Sequence, residues 1–162
     1  MSIEYVVGDL LASDEPVIAH GCNTVGVMGA GVARVVRDTW PEVYYQYETA
    51  CARGTFDAGS AQRCKTTPED RVVYNLGTQR NPGASATHWL VFLSFANMFE
   101  SMKTWKHDRV AVPRIGCGIG GLTWHKVEFA INSARANVPG IDVVVYTQAS
   151  EVNKFPTTQE EK

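Results

Sequence analysis

The residues whose types and spacing suggest chemistry lie mainly in two glycine-rich segments. The first, 21–31, reads GCNTVGVMGAG and follows the apolar run 16–19 and His20; the second, 116–121, reads GCGIGG and follows the run RVAVPRI. Each precedes a stretch with helical spacing of apolar residues. A glycine-rich turn between strand and helix presents backbone N–H groups, backed by the positive end of the helix, to an anion such as phosphate. Two such turns in one small domain predict a diphosphate held between them. Neither segment matches the G-x-x-x-x-G-K-[ST] phosphate loop, and no lysine follows a loop glycine, which argues against ATP cleavage. Neither carries the G-x-G-x-x-G turn and downstream acid of a nicotinamide dinucleotide site.

His20 is the titratable candidate. With an ordinary pKa of about 6.5, an imidazole there suits a nucleophile or general acid/base at a terminal phosphate; a strand-end histidine bonded to backbone is the alternative. Asn23 can donate and accept hydrogen bonds through one amide, or simply form the turn. Cys22 and Cys117 lie inside the two turns, where a small buried thiol is expected and not a nucleophile. His125 is expected to be solvated, and His88 and His107 have no partner legible in the sequence. The four cysteines are widely spaced without a C-x-x-C, so neither a metal site nor a disulfide framework is expected.

Positioning these segments requires strands that deliver them and helices that follow. Strand patterns occupy 3–7, 16–19, 59–66, 71–76, 109–115 and 141–147. Helical patterns start at Gly29, run to a break near Pro41, and occupy 43–51, 85–105 and 124–136. In the 85–105 pattern, Trp89, Phe92, Leu93, Phe95, Ala96, Phe99 and Met102 form an aromatic stripe expected in the core. The alternation of strands and helices in the later half predicts an α/β sandwich with helices on both faces of a largely parallel sheet. A length of 162 residues suits one domain, placed here at 1–149 with a polar tail at 150–162.

The formal net charge of -2 gives no overall basic excess, so a protein that tracks duplex phosphates is not expected. No basic-then-apolar leader opens the sequence and no long apolar run interrupts it, which predicts a cytoplasmic chain without a membrane partner.

Four pieces in order, Val7-Gly8-Asp9-Leu10, HGCNTVGVMGAGVA, VPRIGCGIGGLTW and the closing VVVYT, resemble the macrodomain family across residues 3–147. They are most similar to its terminal ADP-ribose glycohydrolases, DNA ADP-ribosyl hydrolase antitoxins and yeast-type ADP-ribose 1''-phosphate phosphatases. The resemblance implies a three-layer α/β/α fold with a mixed, largely parallel sheet and a cleft for ADP-ribose or a derivative. It places Gly8, Asp9 and Leu10 at the adenine, where a carboxylate suits the exocyclic amine; an Asp that caps the following turn is compatible. It places Asn23 near the distal ribose, with Met28, Gly29, Ala30, Gly31 and Val32 around that ribose and its phosphate. Gly116, Cys117, Gly118, Ile119, Gly120 and Gly121 form the second diphosphate loop, and Tyr146 or Thr147 flanks the adenine. Thr78 and Gln79 fall where the glycohydrolase and antitoxin branches have threonine then lysine, and Gly120 falls where the glycohydrolases have an aspartate. Those two departures weigh against lysine-mediated deglycosylation. Arg80, next in line, is suited to holding phosphate and not to attacking carbon. The implied activity is hydrolysis of an ADP-ribose derivative, foremost ADP-ribose 1''-phosphate, with His20 and Asn23 near the scissile group and no cofactor. A non-catalytic ADP-ribose reader and a hydrolase acting on ADP-ribosylated protein or nucleic acid are the alternatives.

Overall fold

The computed structural model describes residues 3–154. Within them the strands are β1 (Glu4–Val7), β2 (Val17–Cys22), β3 (Ala61–Lys65), β4 (Val72–Gly77), β5 (Arg109–Val112) and β6 (Asp142–Thr147). The helices are α1 (Gly31–Thr39), α2 (Pro41–Ala52), α3 (His88–Thr104) and α4 (Trp124–Arg135). One sheet contains all six strands in the order β1-β6-β5-β2-β4-β3, with only β3 antiparallel to its neighbour. This is the mixed, largely parallel sheet of a three-layer α/β/α sandwich.

Strands covered by helices on both faces have no solvent side, so they read as nearly continuous apolar runs. β4, with sequence VVYNLG, is buried at every position. Alternate side chains then separate into two cores. Val17, Ala19, Val72, Tyr74, Val110 and Val145 pack with Phe95, Phe99 and Met102 of α3 and Val127 and Ile131 of α4. Ile18, Val73, Ala111 and Val144 face the other way, against Val36 of α1, Trp40 at its end and Val43 of α2.

Local chemistry sets the ends of the elements. Proline occupies the first position of α2, where its missing N–H costs no helical bond. At the start of α3, Thr87 Oγ1 accepts from the Leu90 N–H at 3.1 Å. α1 starts at Gly31, two residues later than its periodicity suggests, because Ala30 is extended.

Three differences from the sequence expectations bear on the site. β2 continues through His20, Gly21 and Cys22, which pair with Asn75, Leu76 and Gly77 of β4, so His20 lies within a central strand. Trp89 leaves the aromatic core and is 64% exposed, because it occupies the first turn of α3 and stacks on Phe92 at 5.5 Å between centroids. Residues Ala149–Lys154 form a 3-10 helix where a polar tail was expected from 150, with the Glu151 N–H bonded to the Gln148 carbonyl at 2.9 Å. The remainder of that tail, 155–162, lies outside the described residues.

Candidate functional site

Parallel pairing brings the ends of β1, β2, β4, β5 and β6 to one edge of the sheet, and both glycine-rich segments emerge there. The first segment is organised by Asn23. Its Nδ2 donates to the Val27 carbonyl at 2.8 Å, and its Oδ1 accepts from the Val25 N–H at 3.1 Å and from the Tyr47 hydroxyl at 2.7 Å. Tyr47, on α2, is fully buried, so the loop is tied to the helix beneath it. Met28 is 1% exposed and anchors the loop from within, which leaves only its backbone for a ligand. Ala30, Gly31 and Val32 then open α1, whose first turn has no side-chain cap and no acidic residue. Gly31 has φ +60°, and a Cβ on it would lie 3.4 Å from Ile119 Cδ1, so the two loops approach each other at this point.

The second loop is closed by the Leu122 N–H on the Gly116 carbonyl at 2.7 Å and the Cys117 N–H on the Arg114 carbonyl at 3.1 Å. Among the described residues, the N–H groups of Gly118, Ile119 and Gly120 have no backbone acceptor, which is the arrangement an oxyanion requires. At the root of this loop, Arg114 donates to Thr147 Oγ1 at 3.0 Å and lies 4.8 Å from the centroid of Trp124. Trp124 in turn donates to the Tyr5 hydroxyl, which is bonded to Glu128. The side chains at the base of the loop are thus held by α4 and β1.

Asp9 is exposed, and its Oδ1 accepts from the Leu11 N–H at 3.0 Å. This turn-forming bond uses one carboxylate oxygen and leaves the other for a donor. Leu10 packs its side chain in the core, Gly8 donates to the Thr147 carbonyl, and the Tyr146 ring lies against Gly8. A groove of about 540 Å³ opens here, lined by Gly8, Asp9, Tyr146, Arg109 and residues 12–16.

Thr78 and Gln79 serve the fold in the segment that follows β4. Thr78 is 1% exposed and its hydroxyl sits 2.7 Å from where a Gly21 Cβ would be. Gln79 spends its amide on the Asn81 and Gly83 carbonyls at 2.7 and 3.0 Å. The same segment holds the first loop through the Arg80 carbonyl, which accepts from the Thr24 N–H and hydroxyl. Gly120 is pressed against it: a Cβ would meet the Gly116 oxygen at 2.8 Å and Ala86 Cβ at 2.9 Å. An aspartate has no room there in this packing.

The structure does not bring His20 into the cleft. Its side chain is 1% exposed and shares the α1/α2 face of the sheet with Asn75, whose Oδ1 accepts from Nε2 at 2.6 Å. An amide oxygen only accepts, so Nε2 carries the proton. Asn75 passes the chain on to Gln62 at 3.0 Å, and Gln62 reaches the Gln46 carbonyl of α2 at 3.1 Å. Burial lowers the His20 pKa to about 4, although the Asn75 bond opposes the shift. A neutral imidazole sealed beneath α2 cannot meet a phosphate, so the acid/base role expected for it is withdrawn. Burial also pushes the thiols of Cys22 and Cys117 up, the latter to about 12, so both remain protonated at neutral pH.

Sequence reasoning missed Tyr47, Asn75, Glu15 and Arg109 as supporting residues. Only Asn75 left a signal, as an asparagine inside an otherwise apolar strand.

The Macro domain family model matches residues 19–131. The chain is 32% identical over 146 residues to the DNA ADP-ribosyl glycohydrolase of Mycobacterium tuberculosis, covering 89% of this chain and 42% of that protein. It therefore spans about two fifths of the length of the curated glycohydrolases it matches. It is 25% identical over 147 residues to the ADP-ribose 1''-phosphate phosphatase of Lodderomyces elongisporus, covering 82% of this chain and 92% of that protein. Among solved structures, Thermosipho africanus DarTG in complex with ADP-ribose superposes with a TM-score of 0.79 at 25% identity, over 93% of this chain and 43% of that one.

Two outcomes follow for the site. Because His20 titrates near pH 4 when folded and near 6.5 when unfolded, the unfolded chain takes up the proton first, and stability falls as pH falls through that window. Urea unfolding should show His20 contributing a loss of about 2 kcal/mol between pH 7 and pH 5. His20→Gln should flatten the profile by that amount, and a variant that keeps the full slope would place its origin elsewhere. Separately, Gly120→Ala should lower the melting temperature by several degrees, since overpacking costs about 1–3 kcal/mol; an unchanged Tm would mean the loop has slack.

Proposed function

Because the chain belongs to the Macro domain family, we propose that the cleft between its two glycine-rich loops binds ADP-ribose and that the chain hydrolyses an ADP-ribose derivative at the distal ribose. The observation that carries this reading is the convergence of unpaired loop amides and the uncapped, acid-free first turn of α1 on one edge of the sheet. A diphosphate placed there receives hydrogen bonds from fixed backbone and the field of a helix end, without the cost of reorganising solvent. The exposed Asp9 carboxylate oxygen lies within the adenine half of such a ligand, beside the Tyr146 ring.

Water is the nucleophile in this reading. Gln79 and Gly120 supply neither an amine nor a carboxylate, His20 is sequestered, and the thiols are protonated. The protein's contribution is positioning and electrostatic stabilisation by loop donors. ADP-ribose 1''-phosphate is the favoured substrate: its terminal phosphate suits a positive, acid-free rim with Arg80 on the adjoining exposed segment. The relatives named as phosphatases support this choice, whereas the missing lysine weighs against the glycohydrolase chemistry of the others.

A second reading, capture of ADP-ribose without chemistry, is favoured by the burial of His20, since the one candidate acid/base is out of reach. Calorimetric titration with ADP-ribose, followed by assays of phosphate release from ADP-ribose 1''-phosphate and of ADP-ribose release from an ADP-ribosylated oligonucleotide, separates the possibilities. Binding with phosphate release is expected. Release from the oligonucleotide alone would replace the phosphatase by a glycohydrolase, and binding without either release would leave the reader. Asp9→Ala should weaken ADP-ribose binding by about 1–3 kcal/mol, as loss of a charge-assisted hydrogen bond does; an unchanged titration would remove Asp9 from base recognition.

A further inference from the structure

The segment 8–16 crosses the α1/α2 face of the sheet without forming a helix, yet it carries Asp9 at one end. Two arginines pin it. Arg71 donates through Nε to the Glu15 carbonyl at 3.0 Å and through Nη1 to the Leu11 carbonyl at 2.9 Å. Arg109 holds the Glu15 carboxylate in a two-point fork, Nε to Oε2 at 2.9 Å and Nη2 to Oε1 at 2.8 Å. Glu15 is only 11% exposed at its side chain, and Arg109 is tied on its other side to Glu4 at 3.1 Å. The fork-on-fork geometry fixes the plane of the carboxylate as well as its charge.

The Glu15 carboxylate has a third partner. The Tyr146 hydroxyl donates to Oε1 at 3.1 Å, so one oxygen serves both the guanidinium and the phenol. The Tyr146 ring lies against Gly8, 3.7 Å from where a Cβ would stand, and forms a wall of the groove beside Asp9. A tyrosine free to rotate would have to be ordered whenever a base entered; one anchored at its far end is ordered beforehand. The hydrogen bonds from Arg109 keep Glu15 below the usual carboxylate range, so the anchor is ionised at neutral pH.

We infer that Glu15, held by Arg109, is a positioning residue for base recognition: it sets the Tyr146 ring as the wall against which a purine stacks while Asp9 accepts from the exocyclic amine. This rests on the assignment of Asp9 to the adenine. Glu15 also lines this groove, and the role assigned to it passes through the Tyr146 hydroxyl.

A double-mutant cycle read by ADP-ribose titration of the whole chain tests it. Tyr146→Phe keeps the ring and removes only the anchor, so it gives an informative arm even if Glu15→Ala folds poorly. Each single variant should raise Kd about fivefold, the contribution of one ordinary hydrogen bond. The double variant should be no weaker than the weaker single, because both remove the same link. Additive losses would assign Glu15 a general structural role and overturn the inference, as would an unchanged Kd for Tyr146→Phe. Asp9→Ala, measured alongside, distinguishes the two levels. If it weakens binding while Tyr146→Phe does not, this inference alone fails; if it has no effect, the adenine assignment fails and this inference with it.

Discussion

The direction of the strands is the constraint on which the rest of this molecule depends. Five of the six strands run the same way, so their carboxyl ends and the loops that leave them share one edge. Three of the helices that follow, α1, α3 and α4, begin near that edge, and none has an acidic residue in its first turn. The exception is instructive. α2 follows α1 directly and begins at the far end of the layer, where Glu42 occupies its first turn and accepts from the Thr67 N–H at 2.9 Å. Glu42 thus places a carboxylate at the positive end of α2, whereas the first turn of α1, where an anionic ligand is proposed, holds none.

A second consequence is the polar line buried beneath α2. A central strand that continues to the cleft must bury whatever side chain falls on its inner positions, and at position 20 that is histidine. The cost is contained because every polar group in the line finds a partner: His20 on Asn75, Asn75 on Gln62, Gln62 on the α2 backbone. The line stiffens the last residues of β2 directly before Asn23, whose amide sets the first loop. Burial keeps the imidazole of this line neutral at ordinary pH, although the Asn75 bond opposes that shift.

The fold was largely legible because burial on both faces writes itself into the strands as apolar runs, and the glycine-rich turns mark where those runs end. The two loops were legible for the same reason, since Gly31 and Gly120 are required by a positive φ and a close approach, respectively. His20 was misjudged because a histidine before a glycine looks like the end of a strand. Only the pairing of Gly21 and Cys22 with β4 shows that the strand continues. Trp89 was misjudged because helical periodicity identifies a face and not how far along the helix the sheet extends. Glu15 and Arg109, 94 residues apart, left no local signal at all. Long-range ion pairs have no period in sequence.

The departures at 79 and 120 look different once packing is considered. In the sequence they resemble two missing catalytic groups. In the structure each residue serves packing: Gln79 folds its own segment by bonding two carbonyls, and Gly120 lets the second loop settle against Ala86. An aspartate at 120 would therefore push the second loop off that segment before it added a charge. The two positions are coupled through Ala86, which is bridged to Gln79 on one side and touches the space above Gly120 on the other. The reacting end of the proposed cleft is accordingly built from backbone amides and side chains that carry no nucleophile, with Arg80 on the adjoining segment. In such a site, selectivity for a derivative of ADP-ribose has to come from the shape and field of the loops rather than from one ionisable group.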